Sequence, residues 1–410
     1  MRLWQTNPFE AVTFTFGEGS RVKDSSGKWY VDMMAGTWCN ILGYNHHKWI
    51  HATQTQLSKL THVGWYFITE EINHALLKLS EILPPELDSA VFLNTGSEAV
   101  ELSLKLARAA TGGDEIVVFE RGYYGATTYA MTLSEAGRNS QFLPAFKNIH
   151  RLPLPNCHKC PMGCPGTCEN KFPCLSILEK LAEKKENRLA AVLYEPVIAG
   201  GIFPPPIGFG ARVKELASQC GALLISEEVT TGIGRTGKWF GFQHEAMTPD
   251  ILVIGKAIGA GLPVAMVVTS EKIETESRNT MGRHVQSHQN DPFSGRIASA
   301  VISIIQEEKL VERASHSGHY LMDSLKRLQE EKKGFISTIR GRGLMIGVEL
   351  TPEVAGKGPE ITKHIMELGF IVDYHVPTST YRLFPPYVIT EKEQNDFVKA
   401  LGQSFDDLKK

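Results

Sequence analysis

The chain reads as an α/β protein, with a mostly parallel central sheet in a large domain and a smaller α+β domain at the C-terminus. Three observations predict this. Short apolar runs, ALLIS (222–226) and DILVIG (250–255), give way to polar or glycine-rich turns, the pattern of buried parallel strands whose ends carry chemistry. From Ser89 onward, strand-like and helix-like patterns alternate. A length of 410 residues exceeds what one simple core holds, so two domains and an N-terminal segment are expected. The expected partition is 1–50 for the N-terminal segment, as part of the small domain and pocket wall, 51–291 for the large domain, and 292–410 for the small one.

The elements follow in order. Residues 12–36 alternate in short apolar stretches with hairpin-like turns at GEGSRV and DSSGKWYVD. A helical pattern then runs to about Leu60, with His46 and His47 read as surface or packing residues. AVFLNTGSEAVELSLKLARAA (90–110) is a strand, a turn at Thr95–Gly96–Ser97 and an amphipathic helix. Such a turn can be a plain helix cap or a phosphate cradle, with Gly96 and Ser97 offering the first helical N–H groups to an anion. Strand EIVVFE and the turn RGYYGATT come next, then, past a cysteine-rich loop, helix LSILEKLAEKK and strand LAAVLYEPV, closed by Glu195–Pro196. Helix GARVKELASQCG returns the chain to the run at 222–226. Beyond Pro292, a long helical pattern at 297–331 is expected to break near Lys309, followed by IRGRGLMIGVEL, GFIVDYHVPTSTYRLFPPYVIT and a terminal helix.

Composition narrows the function. With 42% hydrophobic and 21% charged residues the chain is an ordinary globular protein. A net charge of −2 argues against nucleic acid or an anionic membrane as partner. No apolar run spans a bilayer and MRLWQTNPFEAVTF lacks a secretory signature, so the cytoplasm is expected. Five of seven cysteines fall between Cys157 and Cys174. Cys157, Cys160, Cys164 and Cys168 have the spacing of a zinc or iron–sulfur site, against the plainer reading of a Pro/Gly-rich surface loop with reduced thiols. The plainer reading is adopted and no metal is expected. His284 and His288 read as structural, the spacing offering them no carboxylate support.

The chemistry centres on Lys256, delivered by DILVIG into the small-residue stretch AIGAGLP. An unpaired ammonium is costly to bury, and the chemistry that wants a lysine there is imine formation, in which a neutral amine attacks a carbonyl. Lys256 is therefore expected to hold pyridoxal 5'-phosphate as a Schiff base. Upstream, Glu227 and Glu228 point to opposite faces of their strand, so one of the two aims at the site.

EEVTTGIGRTG (227–237), followed by Lys256 after a PDI-type strand, is similar to the signature of class III (ornithine/GABA-type) aminotransferases, and the resemblance runs over essentially the whole chain. It implies a pyridoxal-phosphate enzyme of fold type I. Gly96 and Ser97 then hold the phosphate, Tyr123 and Val229 cover the two faces of the pyridine ring, and Thr230 faces its phenolic oxygen, where the family often has glutamine. Glu227 stands where the family places aspartate beside the ring nitrogen. Ser287 matches a residue reaching the phosphate of a neighbouring subunit, which implies a homodimer with shared active sites. Arg382 matches the arginine that holds the substrate carboxylate, and Thr37, Trp38, Trp65 and Tyr66 fall in pocket-lining stretches. Some members shield that arginine with a glutamate that swings away; Gly200 stands in its place, so Arg382 is expected to be uncompensated. The implied activity is ping-pong transfer of an amino group from an amino acid or ω-amino acid to a 2-oxo acid, Lys256 moving the Cα proton. An amino-acid racemase, a decarboxylating transaminase and a non-catalytic cofactor-binding protein are the rivals.

Overall fold

The computed structural model describes residues 12–408 except 145, 147, 165–167, 169–170 and 185–187. The chain opens on an antiparallel meander, β1 (Phe14–Glu18), β2 (Arg21–Asp24) and β3 (Trp29–Asp32). The central sheet comprises β4 (Ser89–Leu93), β5 (Glu115–Phe119), β6 (Ile149–Leu152), β7 (Leu189–Tyr194), β8 (Leu223–Glu228), β9 (Ile251–Ile254) and β10 (Ala265–Thr269). Its order is β4-β10-β9-β8-β7-β5-β6, and only β10 runs antiparallel to its neighbours. β7 and β9 are buried along their whole length. Helices cover both faces of such a sheet, which is why these strands are continuously apolar rather than alternating.

Helix Gly96–Thr111 packs across β7, β9 and β10, and helix Phe209–Gln219 covers β7 and β8. Helix Pro292–Glu307, which the sequence reading puts at the head of the C-terminal domain, packs on helices His47–Leu57 and Glu70–Ser80 instead. Its mostly apolar surface explains this, since eleven of its residues are buried. The chain then reverses at Lys309, in a left-handed conformation (φ 51°), before helix Leu310–Glu331.

The C-terminal sheet is antiparallel, built from β11 (Ile336–Arg342), β12 (Met345–Leu350), β14 (Asp373–His375) and β15 (Thr380–Leu383) in the order β11-β12-β15-β14. Between β12 and β14, the short β13 (Phe370–Ile371) pairs in parallel with β3, which joins the N-terminal meander to this part of the chain. One apolar core runs through both units, from Ile254 and Ile258 to Leu344 and Tyr387. Arg235 pins the turn after β8 to the C-terminal unit. Its buried guanidinium donates to the carbonyls of Leu344 (3.2 Å) and Pro385 (2.6 Å) and lies 4.8 Å from the Tyr387 ring. Among the described residues no helix is long and apolar enough to cross a membrane.

Candidate active site

The turns that follow β4, β5, β7, β8 and β9 open at one edge of the central sheet, the usual place for a ligand crevice in a parallel sheet. Together with residues 37–38 and 375–382 they enclose a cavity of about 710 Å³. Lys256 stands directly after β9 in a left-handed conformation (φ 44°), and its Nζ lies 4.8 Å from the centre of the Trp38 ring. Burial holds the Lys256 amine below the usual lysine range, against the charge of Glu227. That is the direction a nucleophilic amine needs.

Glu227 faces the cavity. Burial, with Glu195 beside it, pushes its carboxyl well above the usual carboxylate range. Glu228, on the opposite face of β8, is structural. It accepts from the N–H groups of Gly241 (2.6 Å) and Phe242 (2.8 Å) and from the Thr231 hydroxyl (2.9 Å).

At the far end of the cavity the sixteen-residue helix Gly96–Thr111 begins with a capping box. Thr95 Oγ1 accepts from the Glu98 N–H, and Glu98 Oε2 accepts from the Thr95 N–H. The box leaves the amides of Gly96 and Ser97 outside it, at the positive end of the helix. Ser97 Oγ accepts from the Ala126 N–H at 2.9 Å. Gly125 (φ 136°) is required beside it, since a Cβ there would fall 2.7 Å from Ser97 Oγ.

Val229 forms the floor between these ends. A Cβ on Gly96 or on Gly255 would come within 3.0 or 3.1 Å of its methyls, so both glycines make room for Val229 to stand flat. Tyr123, 45% exposed, also lines the cavity. Thr230 Oγ1 is buried without a hydrogen-bond partner. An orphaned hydroxyl in a cavity wall marks a place where a ligand oxygen belongs. These features fit pyridoxal phosphate: an anion-binding helix start, an apolar floor for a flat ring, a lone hydroxyl, a buried acid and a lysine of lowered basicity.

Trp38 belongs to a run in left-handed backbone, with φ of 46°, 56°, 65° and 73° from Ala35 to Trp38. For non-glycine residues such a conformation costs about 1–3 kcal/mol each. Asp32 holds the run, accepting from the N–H groups of Met34 (2.8 Å) and Gly36 (2.7 Å) and from the Tyr44 hydroxyl (2.7 Å). The result is a Trp38 ring stacked on Phe384 (4.4 Å), with the Arg382 guanidinium 4.7 Å from its centre.

The expectation that Arg382 is uncompensated is overturned. Its Nε donates to Asp373 Oδ2 at 2.5 Å and its Nη1 to the Ala199 carbonyl at 3.2 Å. Asp373 lies directly opposite it on the neighbouring strand. Gly200 is also more than a missing glutamate: a Cβ there would sit 2.1 Å from the Arg121 carbonyl oxygen.

Two further groups carry functional weight that the sequence reading did not assign. Glu195 accepts from the N–H of Tyr123 (2.9 Å) and of Ala199 (3.0 Å), so it ties the Tyr123 turn to the segment touching Arg382. Burial raises its carboxyl to about 7. His375, also in the cavity wall, is driven down to about 4 by burial and by the nearby Arg382 and Arg121.

The structure does not bring Trp65, Tyr66 and Ser287 to this cavity. Trp65 and Tyr66 stack at 4.0 Å, with Tyr66 72% exposed, and line a separate hollow beside His284 and Asn290. Ser287 is exposed. His288 does have carboxylate support, from Asp291 three residues on (2.6 Å), where the spacing was read as offering none. The seven cysteines are free thiols; Cys174 is buried under β7 and the four upstream of it in the loop are partly buried.

The family described as Aminotransferase class-III matches residues 4–405. An acetylornithine aminotransferase of Methanopyrus kandleri is 32% identical over 97% of this chain and 94% of its own length. A leucine/methionine racemase of Thermococcus litoralis is 30% identical over 95% and 90%. Among solved structures, an amine transaminase from an uncultivated Pseudomonas species in its PLP-bound form superposes with a TM-score of 0.92, at 25% identity over 99% of both chains.

Proposed function

The chain belongs to the class III aminotransferases, pyridoxal-phosphate enzymes that transfer amino groups, and from that premise we propose that it acts on carboxylate-bearing donors, α- or ω-amino acids, with a 2-oxo acid as acceptor. The observation that carries the proposal is Arg382 in the cavity wall. Asp373 and Ala199 hold it through Nε and Nη1, and among the described residues Nη2 makes no hydrogen bond. A guanidinium fixed through Nε and one Nη1 hydrogen presents its Nη1–Nη2 end to a planar anion with little entropy left to lose. Trp38, stacked on Phe384, gives that anion a rigid wall.

When bound, the cofactor supplies an electron sink for the pair left at the substrate Cα. Gly96, Ser97, Tyr123, Val229 and Thr230 would hold it, and Lys256 would bind it covalently and then take and return the Cα proton at Nζ. Lys256 is suited to that task because burial lowers its basicity. Glu227, buried in the wall, would keep the ring nitrogen protonated through an ion pair, the positive ring offsetting the burial that raises this carboxyl in the cavity alone. Glu195 acts at one remove, by fixing the Tyr123 backbone.

Two variants test the assignment. Lys256→Ala should lose both turnover and the yellow absorbance of the loaded protein. Arg382→Ala should raise KM for an amino acid by about ten-fold or more, the worth of a charge-assisted hydrogen bond, while leaving KM for a carboxylate-free amine in place. An equal loss for both substrates would make Arg382 structural. Racemisation, suggested by the Thermococcus litoralis relative, is separated in the same assay, because it inverts an amino acid without consuming the 2-oxo acid. We also infer a homodimer. Trp65, Tyr66 and Ser287 lie outside the cavity of their own chain, which suits residues that complete a neighbour's site; a monomer in sedimentation that still binds the cofactor fully would refute this.

A further inference from the structure

Away from the cavity, one group of metal-ligating side chains converges from distant parts of the chain. His62 lies in the loop after helix His47–Leu57, while His288 and Asp291 stand just before helix Pro292–Glu307. Their ligand atoms all lie within 4.8 Å of one another. His62 Nδ1 is 2.5 Å from Asp291 Oδ1, His288 Nδ1 is 2.6 Å from Asp291 Oδ2, and the two rings are 4.7 Å apart.

The use of Asp291 is unusual. It is buried and occupies the N-cap of a sixteen-residue helix, yet its side chain makes no capping bond. An aspartate there ordinarily accepts from the second or third helical N–H. Here both oxygens turn to the histidines. Asn290 (φ 57°) sets this geometry by exchanging two hydrogen bonds with Phe92 of β4, which fixes the chain just before Asp291. Within one chain the outer sides of the imidazoles are uncovered, with side-chain exposures of 43% for His62 and 58% for His288, on the face that the inferred homodimer would turn toward a neighbour.

We propose that His62, His288 and Asp291 form a binding site for a divalent transition metal, with zinc the best chemical match. Two imidazoles and one carboxylate are a donor set that zinc accepts, leaving a fourth position for water or for a group of the neighbouring subunit. Each imidazole must offer an unprotonated Nδ1 to ligate, so a ring that donates from Nδ1 to Asp291 would carry that proton on Nε2 once the ion enters. Metal bonds of about 2.0–2.1 Å set ligand atoms roughly 3.3 Å apart, so ligand atoms that now lie within 4.8 Å of one another need to move by only about 1–2 Å. The ion would clip the loop bearing Trp65 and Tyr66 to the loop bearing Ser287.

The test uses the cofactor-loaded protein, stripped by chelator dialysis and titrated with Co²⁺, a spectroscopic substitute for zinc, and in parallel with Zn²⁺ in a calorimeter. The expected result is one ion per chain and weak visible bands without the intense near-ultraviolet band of thiolate ligation. His62→Gln and His288→Gln should each weaken binding at least ten-fold. Neither histidine belongs to the core of its own chain, so the fold should survive, as an unchanged melting temperature without metal would verify. Absence of binding at equimolar metal overturns the proposal. So does a thiolate band that persists in both variants, since it would put the ion on the cysteine loop.

Discussion

Replacing Asp373 with asparagine should improve binding of acidic substrates. Asp373 holds Arg382 through a 2.5 Å contact to Nε, with the two side chains 19% and 16% exposed. A substrate carboxylate at the Nη1–Nη2 end of the guanidinium lies roughly 6 Å from the Asp373 carboxylate, the reach of the planar group plus two hydrogen bonds. Two like charges at that distance repel by about 3 kcal/mol at an effective dielectric of about 20. The cavity opens to solvent, which screens roughly half of this, leaving ~1.4 kcal/mol or about ten-fold in affinity. Asp373→Asn keeps an oxygen to accept from Nε and removes only the charge. KM for the amino acid should therefore fall about ten-fold, KM for a carboxylate-free amine should stay put, and kcat should change little. Initial rates against both substrate classes decide it. A KM for the acid that is unchanged or higher refutes the reasoning and makes Asp373 a positioning group whose charge Arg382 needs.

Gly200→Ala should destabilise the protein by about 1–3 kcal/mol in denaturant unfolding, because its Cβ would meet the Arg121 carbonyl oxygen at 2.1 Å; an unchanged midpoint would mean that the turn relaxes freely. Glu228→Gln should alter the pH dependence of stability. Burial raises the Glu228 carboxyl to about 7 from the ordinary glutamate value of 4.5, so the folded state binds the proton more tightly and stability contributed by this group falls as pH rises from about 4.5 to 7. Unfolding followed across that window should show a shallower decline in the variant, and parallel curves would refute the assignment.

The elements carrying the chemistry were legible because each is marked by local composition. Apolar runs closed by Glu227 and by Lys256 could only be buried strands with a polar end, and β8 and β9 are that. Thr95 and Glu98, three residues apart, announce the helix start that offers Gly96 and Ser97. The parts that escaped depend on pairings between distant segments. Nothing near Glu195 tells that its carboxylate reaches the amide of Tyr123, 72 residues earlier. Asp291 serves His62, 229 residues away, so the local spacing around His288 showed only half of the cluster. Trp65 and Tyr66 illustrate the opposite limit: aromatic residues in a pocket-like stretch look alike whether they line their own chain's cavity or another surface.

Arg382 shows why register matters more than residue type. On β15 it stands opposite Gly347 of β12 on one side and Asp373 of β14 on the other. Gly347 contributes no side chain to that pairing, so the charge partner can come only from β14. A carboxylate on a loop can swing away with its backbone when substrate arrives, whereas the backbone of one in a strand ladder is held and only its short side chain can turn. Gly200, pressed on the Arg121 backbone, leaves no space for a swinging group either. The guanidinium therefore keeps the same fixed partner in both halves of a ping-pong cycle, and its Nη1–Nη2 end makes the same demand of donor and acceptor. Enzymes that must accept a carboxylate in one half-reaction and an apolar amine in the other gain from a movable shield. A fixed one suits a cycle in which both substrates bring a carboxylate, which is the substrate pairing proposed for this chain.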